Sequence, residues 1–390
     1  MSRKPKVAWF SPLPPQKSGI ANYSYWLVRA LRPYLDIHLY FDGEDLAPEL
    51  KNAFAVYPLS AFPHKRHEYK DAVYHLGNNS LFHKDIYKLA WNYPATIVLH
   101  DYNLSAFMHD SFYLQPDWRL YEEALANRNG DADSKKPSGF MSRFRRNVGA
   151  FPMSHAVANK SRKVVVHHRW VKDQFTEDAD VHVIPHFAYL EKSPTQEDID
   201  SFKKRFHIAG RNFLIVCLGF INSNKLPQLQ VTVALKLLAH GYPVHWLFAG
   251  ETAPAVKRLE SEVQASEHRE NITFTGYLDD TDYACAVSSA DLAINLRNPS
   301  MGEASGTLMH ALAASTPAVV SDVNQYKEFP DRVCWKLTHD GNEEQLLFEY
   351  ISVLLANRNV REALSQNSAD YVESVLSLER VIPQWVRILS

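Results

Sequence analysis

Short apolar runs alternate with segments of helical period along nearly the whole chain. That rhythm leaves few solutions. Each run is a buried strand, each periodic segment a crossover helix, and the units assemble into largely parallel sheets. Lys6–Phe10 is the first such strand; the loop SPLPPQKSG follows, and then Ile20, Tyr23, Leu27, Ala30 and Leu31 fall on one helix face. Ile37–Tyr40, Ala72–His75, Thr96–His100, Val164–His167 and Val181–Ile184 continue this first series. The polar stretch EKSPTQEDIDSFKKRFHIAGRN interrupts it. A second series then runs through Phe213–Gly219, a helix around Leu229–His240, Val244–Ala249, Ile272–Phe274, Leu292–Leu296 and Ala318–Ser321. The expected organisation is an α/β domain over 1–192, a linker over 193–212, a second α/β domain over 213–365 and a helical segment over 366–390.

A chain of 390 residues suits two such domains. Hydrophobic residues at 46% and charged residues at 22% are ordinary for a globular protein, and a net charge of -2 argues against nucleic acid as a partner. The three cysteines are widely spaced, which fits a reducing compartment rather than a disulfide framework or a zinc site. Near the start, the apolar run Val7–Phe10 is too short for a signal peptide. No segment approaches the ~18 uninterrupted apolar residues of a spanning helix. The expectation is a cytoplasmic protein. Between 134 and 172 ten Lys and Arg residues occur with no acid, interleaved with Phe140, Met141, Phe144, Val148 and Phe151. This is either a solvated face or a patch that docks on an anionic membrane surface at the inner face of the membrane. No RNA-recognition motif accompanies it.

The segment with most chemical content is Asn295–Ala313, NLRNPSMGEASGTLMHALA. It leaves the carboxyl end of a strand, where ligands bind in open α/β sheets, and enters a helix at Ser305–Thr307. The first turn of a helix offers free N–H groups and a positive dipole end, which suit a diphosphate, and Gly302 and Gly306 allow close backbone approach. Glu303 reads equally as a helix-capping acid or as an acceptor for sugar hydroxyls. Taken alone, Lys225 would be a solvated loop cation, His100 a structural hydrogen-bonder at a strand end, and Ser18-Gly19 an N-cap turn.

Together these segments resemble the retaining glycosyltransferases of family 4, which have the GT-B fold. Their donor-site pattern is Glu-Gly-Phe-Gly, a spacer, a second Glu and Ala-x-Ala; here Glu303, Gly306 and Ala311–Leu312–Ala313 fit, while His310 stands near the second Glu. VCLGFINSNK is similar to the family's Gly-Arg followed by Lys: Gly219 and Lys225 fit, Phe220 replaces the Arg, and Arg297 is the candidate substitute. SPLPPQKSGIANYS and TIVLHD resemble the loops bearing a donor-facing glycine and a functional histidine.

The resemblance implies two Rossmann-like domains with parallel sheets facing across a cleft, and a C-terminal helix that crosses back to the first. It implies His100, Lys225 and Glu303 as catalytic residues, with Ser18, Gly19, Gly219, Arg297, Gly302, Ser305, Gly306, Thr307 and His310 at the donor. Tyr23, Asp101 and Tyr102 are expected at the acceptor, where aromatics suit a glycan or a polyprenyl-linked substrate. The donor would be a UDP- or GDP-linked sugar, and the reaction would retain anomeric configuration. The pathway implied is bacterial surface polysaccharide assembly.

No metal or other cofactor is expected. The acidic run Asp279-Asp280-Thr281-Asp282 reads as a helix N-cap. Three alternatives remain at this point: a sugar-nucleotide epimerase of the same fold, a non-catalytic nucleotide-sugar-binding relative or scaffold subunit, and a peripheral membrane or RNA-binding module using the 134–172 patch.

Overall fold

The computed structural model describes residues 4–43, 45–113, 115–126, 151–210 and 212–390. The chain forms two compact units. Residues up to 186, with 301–304 and 378–390, make the first; 187–300 and 305–377 make the second.

The first unit carries seven strands: β1 (Lys6–Phe10), β2 (Asp36–Tyr40), β3 (Ala55–Tyr57), β4 (Asp71–Leu76), β5 (Thr96–Leu99), β6 (Lys163–Val166) and β7 (Val181–Val183). They pair in parallel in the order β3-β2-β1-β4-β5-β6-β7. Alternation along β1 sends Ala8 and Phe10 to one face and Val7 and Trp9 to the other. Phe10 stacks on Tyr40 and Tyr74 at 4.7 Å and meets Phe62 edge-on. On the opposite face Trp9 stands 6.1 Å from Trp385, which belongs to the helix Leu378–Leu389. That helix packs on the helix Gly19–Leu31, so the last residues of the chain complete the first unit's core.

The second unit carries β8 (Phe213–Leu218), β9 (Val244–Ala249), β10 (Ile272–Phe274), β11 (Leu292–Asn295), β12 (Ala318–Ser321) and β13 (Cys334–Leu337), all parallel, in the order β10-β9-β8-β11-β12-β13. β8 and β9 are buried along their whole length, as continuous apolar runs between helices should be. In each sheet the strand order reverses once, between β1 and β4 and between β8 and β11. The carboxyl ends flanking such a reversal are where this class of sheet leaves room for ligands.

Three details differ from the sequence-based expectation. The edge strands β3 and β13 were not anticipated, being short and only half-buried. Residues 193–212, expected as a linker, contain the helix Gln196–Arg205, whose start is fixed by a reciprocal Thr195–Asp198 capping box, and they belong to the second unit. The return to the first unit occurs at 377–378, after the helix Arg358–Tyr371, and not at 366.

Candidate functional site

The sequence-derived residues fall into two groups, one in each unit. In the second, β8 ends at Leu218 and Gly219 follows with φ +77°, a conformation that favours glycine. A Cβ on Gly219 would lie 2.9 Å from Thr307 Cγ2 and 3.3 Å from Lys225 Nζ, so the absent side chain leaves room beside both groups. The turn Ser223–Lys225 brings Lys225 back toward the strand end, where its Nζ donates to the Leu218 carbonyl. Gln230 holds the arrangement from behind: it donates to the Lys225 carbonyl at 2.6 Å and accepts from Trp246 Nε1 at 3.2 Å. Lys225 is 5% exposed. Burial, with Arg297 nearby, pushes its ammonium down to about 7. Among the described residues its hydrogen bond is to that one carbonyl, and a nearby anion would favour its charged form.

Beside it starts the helix Gly306–Ala313. Its cap is Ser305, whose Oγ accepts from Leu308 N at 3.3 Å. The Ser305 and Thr307 hydroxyls both donate to Asn295 Oδ1, at 3.0 and 3.1 Å, and Asn295 Nδ2 is a buried donor without a partner among the described residues. The Arg297 guanidinium donates to the Leu296 carbonyl at 2.7 Å. Phe220, at the position where the resembling family has its Arg, is 52% exposed. His310 pairs with the Tyr283 hydroxyl at 3.0 Å and stands edge-on to Tyr189, contacts of a packed helix residue. Asp279 accepts from Thr281 N and Asp282 N and so caps the helix Asp280–Ser288, as the sequence suggested.

In the first unit, Ser18 caps the helix Gly19–Leu31 by accepting from Ile20 N at 3.3 Å, and Gly19 has open space around its Cα. The segment 301–304 lies along the loop after β5: Tyr102 N donates to Gly302 O at 3.3 Å, Asn103 N to Met301 O at 2.9 Å, and Ala304 N to His100 O at 2.8 Å. Gly302 has φ +68°, and a Cβ there would fall 2.6 Å from Tyr102 Cβ. These bonds bring Glu303 and His100 into one loop cluster. Glu303 accepts from Met301 N at 2.7 Å within its own turn; capping of the following helix is left to Ser305. Asp101 accepts from Asn78 N at 2.8 Å, and the Tyr102 hydroxyl pairs with His155 Nε2 at 3.0 Å.

One expectation is corrected here. Tyr23, expected at the acceptor, is fully buried, with its ring 4.6 to 6.0 Å from those of His186, His100, His167 and His75. A helix face that packs on strand ends cannot also present its central side chain to a substrate.

Sequence reasoning missed this histidine cluster. His75 Nδ1 lies 2.9 Å from His100 Nε2, His83 Nδ1 donates to the His75 carbonyl, and His167 Nδ1 donates to the Ile184 carbonyl. Burial, then the neighbouring histidines, holds His75 and His100 well below the usual imidazole range; burial alone takes His83 and His167 down to about 4. The available signal was the recurrence of His at strand ends: YHLG, VLHD, VVHH and IPHF.

The basic stretch is partly accounted for. Lys160 sits 4.1 Å from the Trp91 ring, Arg162 pairs with Asp71 at 2.9 Å, and Lys163 bonds the Ile388 carbonyl. Residues 134–150, with Lys135, Lys136, Arg143, Arg145 and Arg146, lie outside the described residues. Among the described residues no helix is long and apolar enough to cross a membrane.

Residues 198–371 match the family model for glycosyl transferases group 1. No curated protein matches the chain by sequence. Among solved structures, HepE from Anabaena in complex with UDP is 14% identical, covers 99% of both chains and superposes with a TM-score of 0.65. The same protein has been solved with UDP-glucose. Sucrose-phosphate synthase from Thermosynechococcus elongatus is 15% identical over 99% of this chain and 98% of that one, with a TM-score of 0.69. WaaG, a glycosyltransferase involved in lipopolysaccharide biosynthesis, is 12% identical over 99% of both, with a TM-score of 0.62. The shared fold is GT-B: two α/β units, each built on a parallel sheet.

Proposed function

We propose that this chain is a retaining, metal-independent glycosyltransferase that moves a hexosyl-type sugar from a nucleoside diphosphate to a glycan or lipid-linked acceptor, in the assembly of a bacterial surface polysaccharide. One observation carries the reading: a buried lysine, Lys225, adjoins Gly219 and the open start of the helix Gly306–Ala313. A diphosphate supplies the charge that this ammonium lacks, and the helix N–H groups bind it further. The group 1 match over the same segment and the UDP-bound structure of HepE support a nucleotide sugar as the ligand, with UDP or GDP as its nucleotide.

In the reaction the bond from the sugar's anomeric carbon to the diphosphate oxygen breaks, and a bond to the acceptor oxygen forms on the same face. The departing phosphate oxygen accepts the acceptor's proton. Lys225, with Arg297 in place of the missing Arg, stabilises the negative charge that develops on the leaving group. His100 and Glu303 address hydroxyls of the sugar, and Asp101 and Tyr102 line the acceptor side. Attachment to an anionic membrane surface would rest on the basic stretch 134–172, within which Lys160, Arg162 and Lys163 are engaged internally.

A panel of nucleotide sugars, tested by thermal shift and by product formation with and without chelator, decides the matter. One UDP- or GDP-sugar should raise the melting temperature and be turned over to the same extent in chelator. A panel that leaves the melting temperature unmoved and yields no product sinks the proposal. Activity lost in chelator and restored by a divalent cation removes its metal-independent part.

A further inference from the structure

His75 stands directly behind His100 and has no task in the reaction as written. Both rings are buried, with centroids 5.2 Å apart, and a single hydrogen bond of 2.9 Å joins His75 Nδ1 to His100 Nε2. One of the two nitrogens carries the proton. Which one it is determines what His100 offers a ligand from its other nitrogen.

The surroundings decide. His75 Nε2 is buried and has no hydrogen-bond partner among the described residues. If His100 donated, the proton of neutral His75 would have to sit on that Nε2, sealing an N–H away with nothing to accept it. If His75 donates, Nε2 is bare, and what is left unpaired is an acceptor. Orphaned buried N–H groups are the rarer of the two. The neighbouring ring adds a second reason. Trp9, with its ring 4.8 Å away, already holds a buried indole N–H without a partner among the described residues, so a second unpaired N–H on His75 would find no relief there. His83 and His167, each bonded through Nδ1 to a carbonyl, carry the same Nδ1–H form. A second proton on the pair is disfavoured by burial and by the adjacent histidines.

We propose that His75 is a positioning residue that donates from Nδ1 to His100 Nε2, so that His100 is held as the neutral Nδ1–H tautomer and acts as a hydrogen-bond donor to a sugar hydroxyl or phosphate oxygen, not as a base. The ligand half of this statement rests on the reading given above. The tautomer half stands on the ligand-free protein alone.

The test uses the full chain labelled with 15N-histidine, and long-range 1H–15N correlation near pH 7.5, with His100→Gln and His75→Asn used to assign the signals. Both His75 and His100 should show a protonated Nδ1 and a bare Nε2. A protonated Nε2 on His100 overturns the proposal. Activity supplies the second arm. His75→Asn sets an amide N–H near the Nδ1 position and should hold turnover close to wild type, whereas His75→Phe should lower kcat about tenfold, the worth of one hydrogen bond, with KM less affected. Equal turnover by two folded variants, judged by circular dichroism, overturns the positioning role. Wild-type protein with the expected tautomer but no product from any nucleotide sugar would remove the glycosyltransferase reading and leave the histidine pair as described.

Discussion

The two units solve one topological problem with opposite chemistry. Each is a parallel sheet whose strand order reverses once, and each gathers polar side chains at the carboxyl ends of its strands. In the first unit those ends carry imidazoles around a buried tyrosine, kept uncharged by lack of water. In the second they carry a buried ammonium, a guanidinium and the start of a helix. Uncharged donors suit hydroxyls, and fixed positive charge suits a phosphate. The lesson is that an open α/β sheet specifies where a ligand goes, while the residues at its strand ends specify what kind of ligand it is.

The comparison is broken or sharpened most strongly by acid. Histidines held neutral in the native state gain protons on unfolding, so stability is complete above the ordinary imidazole pKa and is lost as pH falls toward the native value. For His83 and His167, both brought down to about 4, the loss lies between 6.5 and 4 and reaches about 2 kcal/mol each at pH 5. His168, brought down to about 3, adds to it in the same unit, against His245 and His310 in the second. Urea unfolding at pH 7 and pH 5, followed by hydrogen exchange in each unit, should find the first unit the more acid-labile. Equal loss in both would erase the distinction.

Next in size comes Lys225→Ala, which should lower turnover by on the order of a hundredfold without unfolding the protein, because a group stabilising the leaving diphosphate is removed. Glu303→Ala belongs in the same range. Normal transfer by either variant, with folding intact, would take that residue out of the site. Gly219→Ala forces a side chain into φ +77° and against Thr307, and should weaken nucleoside diphosphate binding about tenfold at a cost of roughly 1–2 kcal/mol in stability. Isothermal titration with UDP and GDP reads the first quantity, urea unfolding the second. The smallest effect is a proton. Lys225 near 7 is only partly charged when free, so nucleotide binding at pH 7 should take up roughly half a proton. Titrations in buffers of different ionisation enthalpy measure it, and Lys225→Met should abolish it. No uptake in wild type means that the lysine does not meet the diphosphate.

Much of this was legible in the chain. Continuous apolar runs bounded by loop residues gave β1, β9, β10 and β12 to the residue, and the other anticipated strands within one residue of their ends. The short edges β3 and β13 escaped because three or four half-buried residues carry too little pattern. The structure sets Gly219 at a strand end, Gly306 at a helix start and Lys225 beside them, positions to which the resemblance to a family motif points. The inside of the first unit was not legible. His75, His167 and His186 come from separate loops and strands, and only the fold brings them to Tyr23. In the sequence Tyr23 lies on the apolar face of the first helix, and its acceptor role comes only from the resemblance.

The helix Leu378–Leu389, with Trp385 against Trp9, has a consequence for how the protein is made. A ribosome delivers all seven strands of the first sheet and then the whole second unit before the piece that closes the first core emerges. At ~5–20 residues per second that interval is on the order of 10–40 s. Throughout it the indole of Trp9 and the apolar side of the first helix lack the partner that covers them in the finished fold.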